Sequence, residues 1–550
     1  MKKSIILAFI AFILASQSFG CTNLIVGKKA SKDGAVLCSY SDDSYGRYRG
    51  LCHYPAGKHA AGEMRKIIDW GSLKYRGEIP EAPETYNVIG NINEHQVCIG
   101  ETTYGGRKEM VDTCGLLDYG SLIYIALQRS KTAREAISVM TTLAETYGYC
   151  SSGESFSICD PEEAWIMEMM GRGPGSKGVV WVAQRIPDDC ISGHANQSRI
   201  TYFDLKDKKN VMMSRECIRY ARKMGWFAGK DNEFSWADTY APADFHSRRI
   251  CDARVWSFFN RYAKEAAEYL PWALGIDKDA KPMPLWMRPD RKLGVEDVEA
   301  AMRDHYEGTP MSLTRTDDPG KGLYDAPYRP TPLTFDYNGG KYLNERPIST
   351  QQTVFVYVAQ LRSWLPRQVG GVLWFGNDDA NMVAFTPVYC SATVQPECYN
   401  APGVSDTQFS EKSAFWMCNM VSNMVYQRYS MLFPEVEAVR QRLEQQYFTN
   451  QNITEQKALQ ILEQKGEAEA AKFLNDYSID VAQAMLKEWQ QLALRIIVKY
   501  NDSAIKPEAD GKFKTTPEGL GVTPVRPGYT ESAKKAIATQ PGNPNLMPQE

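Results

Sequence analysis

Hydrophobic residues form short runs over the first two-thirds of the chain, a pattern that is typical of β-strands. Two such runs, residues 22–26 and 35–40, flank the turn-forming residues 31–34 and predict a hairpin. A second strand pair is predicted at 86–90 and 96–102, around a polar turn. Further strands are predicted at 155–159, 164–170 and 178–185, with a strand block at 353–389.

Apolar residues recur at helical spacing in three other regions. Thr132 and Glu135 have the spacing of a capping box, which predicts a helix over 136–147. Residues 252–270 read as one amphipathic helix. The chain from 415 to 500 is nearly all helical in two or three segments, one of them expected to start at Asn452. This mixture predicts an α+β fold of sheets covered by helices.

The first twenty residues have the composition of a signal peptide. Lys2 and Lys3 are followed by an apolar run over 5–15, and small residues, Ser18 and Gly20, stand at positions −3 and −1 of a cleavage site. We therefore expect an exported protein. The predicted divisions are a leader at 1–20, a main domain at 21–430, a helical segment at 431–505 and a Pro/Gly-rich tail at 506–550, draped or disordered.

Charge and cysteine content narrow the function classes. With 63 basic residues, two of them in the leader, and 66 acidic ones, the processed chain has a formal net charge of −5. The sequence contains no basic cluster that would predict nucleic-acid binding. After the leader it also contains no apolar run long enough to predict a membrane span. Twelve cysteines besides Cys21 permit disulfides in an exported protein. Neither CxxC nor HExxH occurs, so we expect no metal site.

Cys21 is the residue that cleavage after Gly20 would expose with a free α-amine. The ordinary pKa values are about 8.5 for a thiol and roughly 7.7–8 for an α-amine. The amine can therefore accept the thiol proton near neutral pH, which activates the sulfur as a nucleophile. When only the leader sequence is considered, two alternatives to a nucleophilic Cys21 remain open. Cys21 is acylated as a lipid anchor, or it falls at the cleavage site by chance.

The sequence after Cys21 resembles the dipeptidase family of N-terminal-nucleophile cysteine hydrolases, relatives of secernin, penicillin V acylase and bile salt hydrolase. The resemblance extends from Cys21 to about residue 500 and strongly favours the nucleophile. The blocks that carry it are residues 21–34, 93–97, 100–103, 153–155, 164–168, 181–189, 194–200, 361–366, 370–376 and 413–416.

The resemblance implies a four-layer αββα sandwich and hydrolysis of amide bonds without a cofactor. We therefore expect an exported cysteine-type dipeptidase whose partners are dipeptides or small amides, and homo-oligomerisation stays open. One alternative on the same fold is an N-acyl amino acid amidohydrolase. The other is a non-enzymatic, lipid-anchored envelope protein.

The resemblance also assigns roles to single residues. Asp43 occupies the position of an aspartate that would hold the protonated α-amine of Cys21, whereas Tyr40 stands where the family has an arginine. Asn196 matches an asparagine that supplies a donor to the oxyanion, and Arg254 aligns with an arginine near the active site, where we expect it to contact substrate.

Three further polar residues are interpreted from their own positions. Glu101 ends a predicted strand, where its carboxylate can contact a substrate α-ammonium or pair with Arg107. Asp42 is interpreted as part of a solvated turn. His194 is interpreted as a core or turn histidine rather than a catalytic one.

Overall fold

The computed structural model describes residues 20–519, 521–542 and 545–547, so the predicted leader lies outside the described residues except for Gly20. The strands are β1 Gly20–Val26, β2 Val36–Asp43, β3 His53–Tyr54, β4 Gly57–Lys58, β5 Met64–Ile68, β6 Tyr75–Pro80, β7 Glu84–Thr85, β8 Val88–Ile89, β9 Ile92–Asn93, β10 Cys98–Gly105, β11 Gly153–Cys159, β12 Ala164–Gly171, β13 Val179–Ile186, β14 Ile191–His194, β15 Val211–Met213, β16 Trp286–Met287, β17 Thr334–Tyr337, β18 Gly340–Leu343, β19 Thr353–Leu361, β20 Gly371–Asn377, β21 Thr386–Tyr389, β22 Glu508–Ala509 and β23 Lys512–Phe513.

The α-helices cover the sheets and form most of the C-terminal region. They are α1 Tyr119–Arg129, α2 Ala133–Tyr147, α3 Glu216–Lys223, α4 Trp236–Tyr240, α5 Ala253–Tyr262, α6 Leu270–Leu274, α7 Val295–Met302, α8 Arg367–Gly370, α9 Ala414–Tyr426, α10 Tyr429–Lys465, α11 Glu467–Lys499 and α12 Glu531–Ala538.

Two large antiparallel sheets contain most of the strands. The first has the order β16-β14-β1-β2-β19-β20-β21, and the second β15-β13-β12-β11-β10-β9-β8-β3. The predicted β1–β2 hairpin is confirmed, and its register pairs Gly20 with Asp43. The interpretation of Asp42 as a solvated turn is wrong, because β2 continues through Asp42 and Asp43 with both side chains buried.

The predicted turn between the second pair of strands contains a short strand of its own. β9 pairs with β8 on one side and with β10 on the other, so residues 86–90 do not pair directly with 96–102. The side-chain nitrogen of Asn93 donates to the carbonyl oxygens of Leu127 and Ser130. These bonds hold the segment against the end of α1.

The two sheets face each other through β1, β2, β10 and β11, and helices lie on their outer sides. Helices α1 and α2 cover the second sheet, whereas α5, α7 and α9 to α11 contact strands of the first. The Thr132 hydroxyl accepts from the Glu135 amide and caps α2 as predicted. The α+β class is confirmed.

The amphipathic segment 252–270 is not one helix. After α5 the backbone becomes extended at Ala263, and residues Lys264–Tyr269 form a 3₁₀ segment before α6. The Trp256 indole donates to the Ala266 carbonyl across this break. The side chain therefore stabilises a turn that the hydrophobic spacing does not reveal.

The prediction that a helix starts at Asn452 is wrong. α10 continues through that residue and ends at Lys465; the next residue, Gly466, has a φ of 89°, which residues other than glycine rarely adopt. Glu455, one turn beyond Asn452, forms a buried ion pair with Arg362 at 2.6 Å. α10 thus carries a buried contact with the sheet in the turn where the local signal indicates a cap.

The described part of the 506–550 tail contains the β22–β23 hairpin and α12. The Thr530 hydroxyl donates to the Leu323 carbonyl at 3.0 Å, which attaches α12 to the main domain. All thirteen cysteines fall in the described ranges, each as a free thiol. Among the helices of those ranges, none combines the length and apolar composition that a membrane crossing requires.

Candidate active site

Cys21 is the second residue of β1 and lies where the two large sheets face each other. Its side chain is buried, and the register pairs it with Asp42 of β2. The sulfur lies 3.7 Å from the Tyr40 hydroxyl and 3.7 Å from Oε1 of Glu101. Tyr40 donates a 2.7 Å hydrogen bond to the same glutamate oxygen. The thiol therefore shares its surroundings with a phenol and a carboxyl group.

Burial is the main reason that the pKa of the Cys21 thiol is raised well above its usual value. The negative charges of Glu101, Asp42 and Asp43 raise that pKa further, and the Asp43 backbone amide opposes them by hydrogen bonding. A thiolate is thus strongly disfavoured in the chain that still carries Gly20. The sulfur needs an added positive charge or a nearby proton acceptor to become nucleophilic.

The backbone nitrogen of Cys21 donates a 2.9 Å hydrogen bond to Oδ1 of Asn196. Asn196 follows β14, the strand that pairs with β1, and it has a φ of 62°. Asparagine enters this left-handed region more readily than most residues. Nδ2 of the same side chain donates to the Thr103 carbonyl at 2.8 Å. The amide of Asn196 is thereby fixed beside the backbone nitrogen of Cys21.

Arg254 is fully buried in the first turn of α5, directly after the π-helical turn Ser247–Asp252. Its Nη1 donates to the Cys21 carbonyl at 2.6 Å, and its Nη2 donates to Oδ1 of Asn196 at 2.9 Å. Burial, followed by the charge of Arg346, lowers its pKa to about 10. Arg254 therefore holds both the carbonyl group of Cys21 and the asparagine beside it.

Asp43 ends β2 and is completely buried. Its carboxylate pairs with Arg346, and it accepts a 2.7 Å hydrogen bond from the Thr353 hydroxyl. Burial raises the pKa of Asp43 to about 6, and the Arg346 charge limits the rise. Asp43 is therefore mostly ionised at neutral pH. Its predicted role toward the α-amine stays a prediction, since that amine forms only on cleavage.

Glu101 does not pair with Arg107, whose Nε donates to the Thr239 carbonyl instead. The second carboxyl oxygen of Glu101, Oε2, is buried without a hydrogen-bond donor among the described residues. The same is true of Oε1 of Glu154 on the neighbouring strand β11. Burial raises the pKa of Glu101, and burial together with the Glu101 charge raises the pKa of Glu154 well above its usual range. The pair favours one proton between two carboxyl groups.

A cavity of about 860 Å³ adjoins this cluster. Gly20, Asn196, Arg254 and Arg346 line one part of it, and residues 103–107 line another. Gly20 thus stands between Cys21 and the cavity. Removal of residues up to Gly20 would leave the α-amine of Cys21 facing this space, which is large enough for a small peptide.

Arg346 has no counterpart among the sequence predictions, and the one available signal for it was the missing arginine at Tyr40. Glu154 lies in the family-like block 153–155, but the sequence assigned it no role. His194, by contrast, is a core histidine, hydrogen-bonded at 2.7 Å to the hydroxyls of Thr102 and Ser157. Burial lowers its pKa to about 3, so it stays neutral.

Comparison with known proteins gives a family assignment. The pattern of "Peptidase family C69" matches residues 51–442, which is most of the chain. The chain belongs to peptidase family C69. It is accordingly an enzyme of the cysteine-peptidase class. The match begins after Cys21, so the role of that residue does not follow from it.

The relatives of this C69 peptidase are similar over most of their length. A "Probable dipeptidase" of Salmonella dublin is 24% identical over 415 residues, which are 71% of this chain and 85% of the relative. A "Probable dipeptidase" of Latilactobacillus sakei is 23% identical over 483 residues, 84% of this chain and 91% of the relative. "Dipeptidase A" of Lactobacillus helveticus is 23% identical over 431 residues, 74% of this chain and 81% of the relative.

Proposed function

We propose that this peptidase is an exported dipeptidase whose nucleophile is Cys21, exposed as the N-terminal residue when the leader 1–20 is removed. The dipeptidase names of relatives that align with most of the chain support the substrate class. The observation that carries the mechanism is the fixed peptide group of Cys21, held by Asn196 and Arg254 beside a cavity that Gly20 lines.

Removal of the leader changes the chemistry of one nitrogen atom. In the uncut chain the Cys21 nitrogen is an amide, which cannot accept a proton, and the buried thiol stays protonated. After the cut the same nitrogen is an amine within one residue of the sulfur. It accepts the thiol proton, and the resulting ammonium compensates the thiolate and the carboxylates around it. Cleavage therefore acts as the activating step.

The reaction then follows the path of an acyl transfer. The sulfur attacks the carbonyl carbon of the dipeptide, and the Asn196 amide is proposed to donate to the oxyanion that forms. The ammonium gives its proton to the departing nitrogen as the C–N bond breaks, which leaves a thioester on Cys21. The C-terminal amino acid has left at this point; a water molecule, deprotonated by the amine, then hydrolyses the thioester, which releases the N-terminal amino acid and returns the proton to the sulfur. Neither a metal nor a redox step is needed for this balance.

Three other residues have supporting parts in this proposal. Asp43, ionised beside Arg346, contributes negative charge that favours the ammonium form of Cys21. Glu101, whose carboxyl group lies 3.7 Å from the sulfur, is the proposed contact for the substrate's α-ammonium. Arg254, expected from the sequence to contact substrate, acts on it indirectly in this proposal, because its hydrogen bonds hold Cys21 and Asn196.

We also propose that the chain has the four-layer αββα fold that the sequence resemblance implies. Two facing antiparallel sheets with helices on both outer sides support a four-layer αββα sandwich. The start of an inner strand is the expected place for the nucleophile of such a fold, and Cys21 lies near the start of β1.

The test is a substrate panel on the processed protein, with its N-terminal mass measured first. We expect a bare Cys21 and hydrolysis of dipeptides in preference to N-acyl amino acids. Preference for N-acyl amino acids would replace the dipeptidase proposal with an acylase. A diacylglyceryl thioether on Cys21 and no hydrolysis would replace it with a lipid-anchored protein.

A further inference from the structure

Arg346 has a guanidinium group with hydrogen-bonding capacity that the described residues do not use. Its side chain is 6% exposed and lines the cavity beside Cys21. Nη2 pairs with Asp43. When the Gln352 amide is oriented so that both its oxygen and its nitrogen are hydrogen-bonded, the oxygen accepts from Nε and Nη2 of Arg346 at 2.9 and 2.8 Å. Nη1 is buried and has no hydrogen-bond partner among the described residues.

Gly20 covers this guanidinium. A Cβ atom added to Gly20 would lie 2.7 Å from Cζ of Arg346, which is closer than any real Cβ contact. The backbone of Gly20 is therefore packed directly against the charged group. Because Gly20 is the last residue of the proposed leader, its removal would uncover the guanidinium at the cavity wall.

Two buried guanidinium groups, those of Arg346 and Arg254, lie at this wall of the cavity, and the carboxylate of Asp43 pairs with the first of them. Arg254 is the second buried guanidinium there, and its bonds go to backbone, hydroxyl and amide oxygens rather than to a carboxylate. The nearby Asp42 has its own partner, Arg49, at 3.5 Å. Asp43 is thus the carboxylate that faces the two arginines. Uncompensated buried charge is unfavourable, and an anionic ligand would relieve it.

We propose that Arg346 is a substrate-binding residue that binds a carboxylate group of the peptide once Gly20 has been removed. This inference rests on the proposed function, because it needs leader removal and a peptide substrate in the cavity. A guanidinium with an unused N–H is suited to a carboxylate, and such charge-assisted hydrogen bonds are stronger than neutral ones. The carboxylate is either the C-terminal α-carboxylate or an acidic side chain.

The alternative is that Arg346 only holds Asp43 in place. In that case its loss would slow hydrolysis of all substrates by the same factor, whatever charge they carry. A comparison of matched substrates distinguishes the two roles. The arms are a neutral dipeptide with a free α-carboxylate, the C-terminal amide of the same dipeptide, and a dipeptide amide that carries a glutamate side chain.

The experiment measures kcat/KM of the processed enzyme and of Arg346→Gln on these three substrates. We expect the enzyme to prefer a carboxylate-bearing substrate over the neutral amide by about 10- to 100-fold. Preference for the free dipeptide identifies the α-carboxylate, and preference for the glutamyl amide identifies the side chain. Arg346→Gln should lose most of that ratio, and the control Arg49→Gln, which removes the partner of Asp42, should keep it.

An unchanged ratio in Arg346→Gln, or no carboxylate preference in the unsubstituted enzyme, would overturn the inference. If Arg346→Gln does not fold, as judged by its thermal melting, Arg346→Lys replaces it and should lower the ratio while keeping the charge. Binding of the dipeptide and its amide to processed Cys21→Ala gives a readout without turnover. Carboxylate-dependent binding that Arg346→Gln abolishes, with no hydrolysis by the unsubstituted enzyme, would reject the dipeptidase function and retain the Arg346 site.

Discussion

The backbone nitrogen of Cys21 and Oδ1 of Asn196 are joined by a 2.9 Å hydrogen bond across 175 residues of chain. Arg254 donates to the same Oδ1 and to the Cys21 carbonyl, so the three residues form one connected unit. This unit exists while Gly20 is still attached. Under the proposed function, the position of the α-amine is therefore set before cleavage, and the cut would only change this nitrogen from amide to amine.

Replacement of Cys21 by alanine should abolish turnover and leave the fold intact. The buried sulfur is the proposed attacking atom, and alanine fits the same buried position. Cys21→Ser is expected to keep a trace of activity at most, because its hydroxyl is far less acidic than a thiol. Steady-state kinetics and thermal melting of the processed variants check this. Wild-type rates in Cys21→Ala would show that another residue is the nucleophile.

A chain that retains residues 1–20, or that has one extra methionine before Cys21, should fold but remain inactive. Its Cys21 nitrogen is an amide, and its thiol pKa stays raised by burial and by Glu101. The measurement is activity of the mass-verified uncut protein before and after removal of the extra residues. Equal activity in both forms would show that the α-amine is not the base.

Local patterns were sufficient to predict the β1–β2 hairpin and the capped helix α2. The contacts that the sequence did not reveal depend on distant partners. Asp43 is buried because Arg346, 303 residues later, supplies a counter-charge, and no periodicity encodes such a pair. Glu455, one turn beyond Asn452 in α10, likewise has a partner 93 residues away, Arg362, which only the folded chain brings next to it.

Asn196→Ala should lower kcat by about 10²- to 10³-fold with little change in KM, as expected when a donor to the oxyanion is lost. The neighbouring Gln197→Ala is a matched control. Gln197 also lines the cavity, but its amide donates to the carbonyls of Ser198 and Ala241 rather than contacting Cys21. If the main effect of Asn196→Ala is a higher KM, this result would contradict the oxyanion role.

Asp43→Asn should move the acidic limb of the pH–rate profile to lower pH. Loss of the carboxylate disfavours the ammonium form of Cys21, so the amine pKa falls and the free base persists to lower pH. Because the pKa of Asp43 is raised to about 6, its charge is present above that pH and is lost below it. The acidic limbs of the unsubstituted enzyme and of Asp43→Asn should therefore differ above pH 6 and converge below it. If the two pH–rate profiles coincide after normalisation to their maxima, Asp43 does not influence the amine pKa.

Glu455→Ala should destabilise the protein by about 3–5 kcal/mol, because it leaves Arg362 as an unpaired buried charge. Both guanidinium Nη atoms of Arg362 donate to this carboxylate, at 2.8 and 2.6 Å, and the pair joins α10 to the end of β19. Glu488→Ala is the control. Its partner Arg442, also on α10, is 54% exposed, and such surface pairs contribute about 0–1 kcal/mol. Urea unfolding of the three proteins measures the free energies of unfolding. Equal losses for the two variants would mean that the Arg362–Glu455 pair does not anchor the C-terminal helices to the sheet.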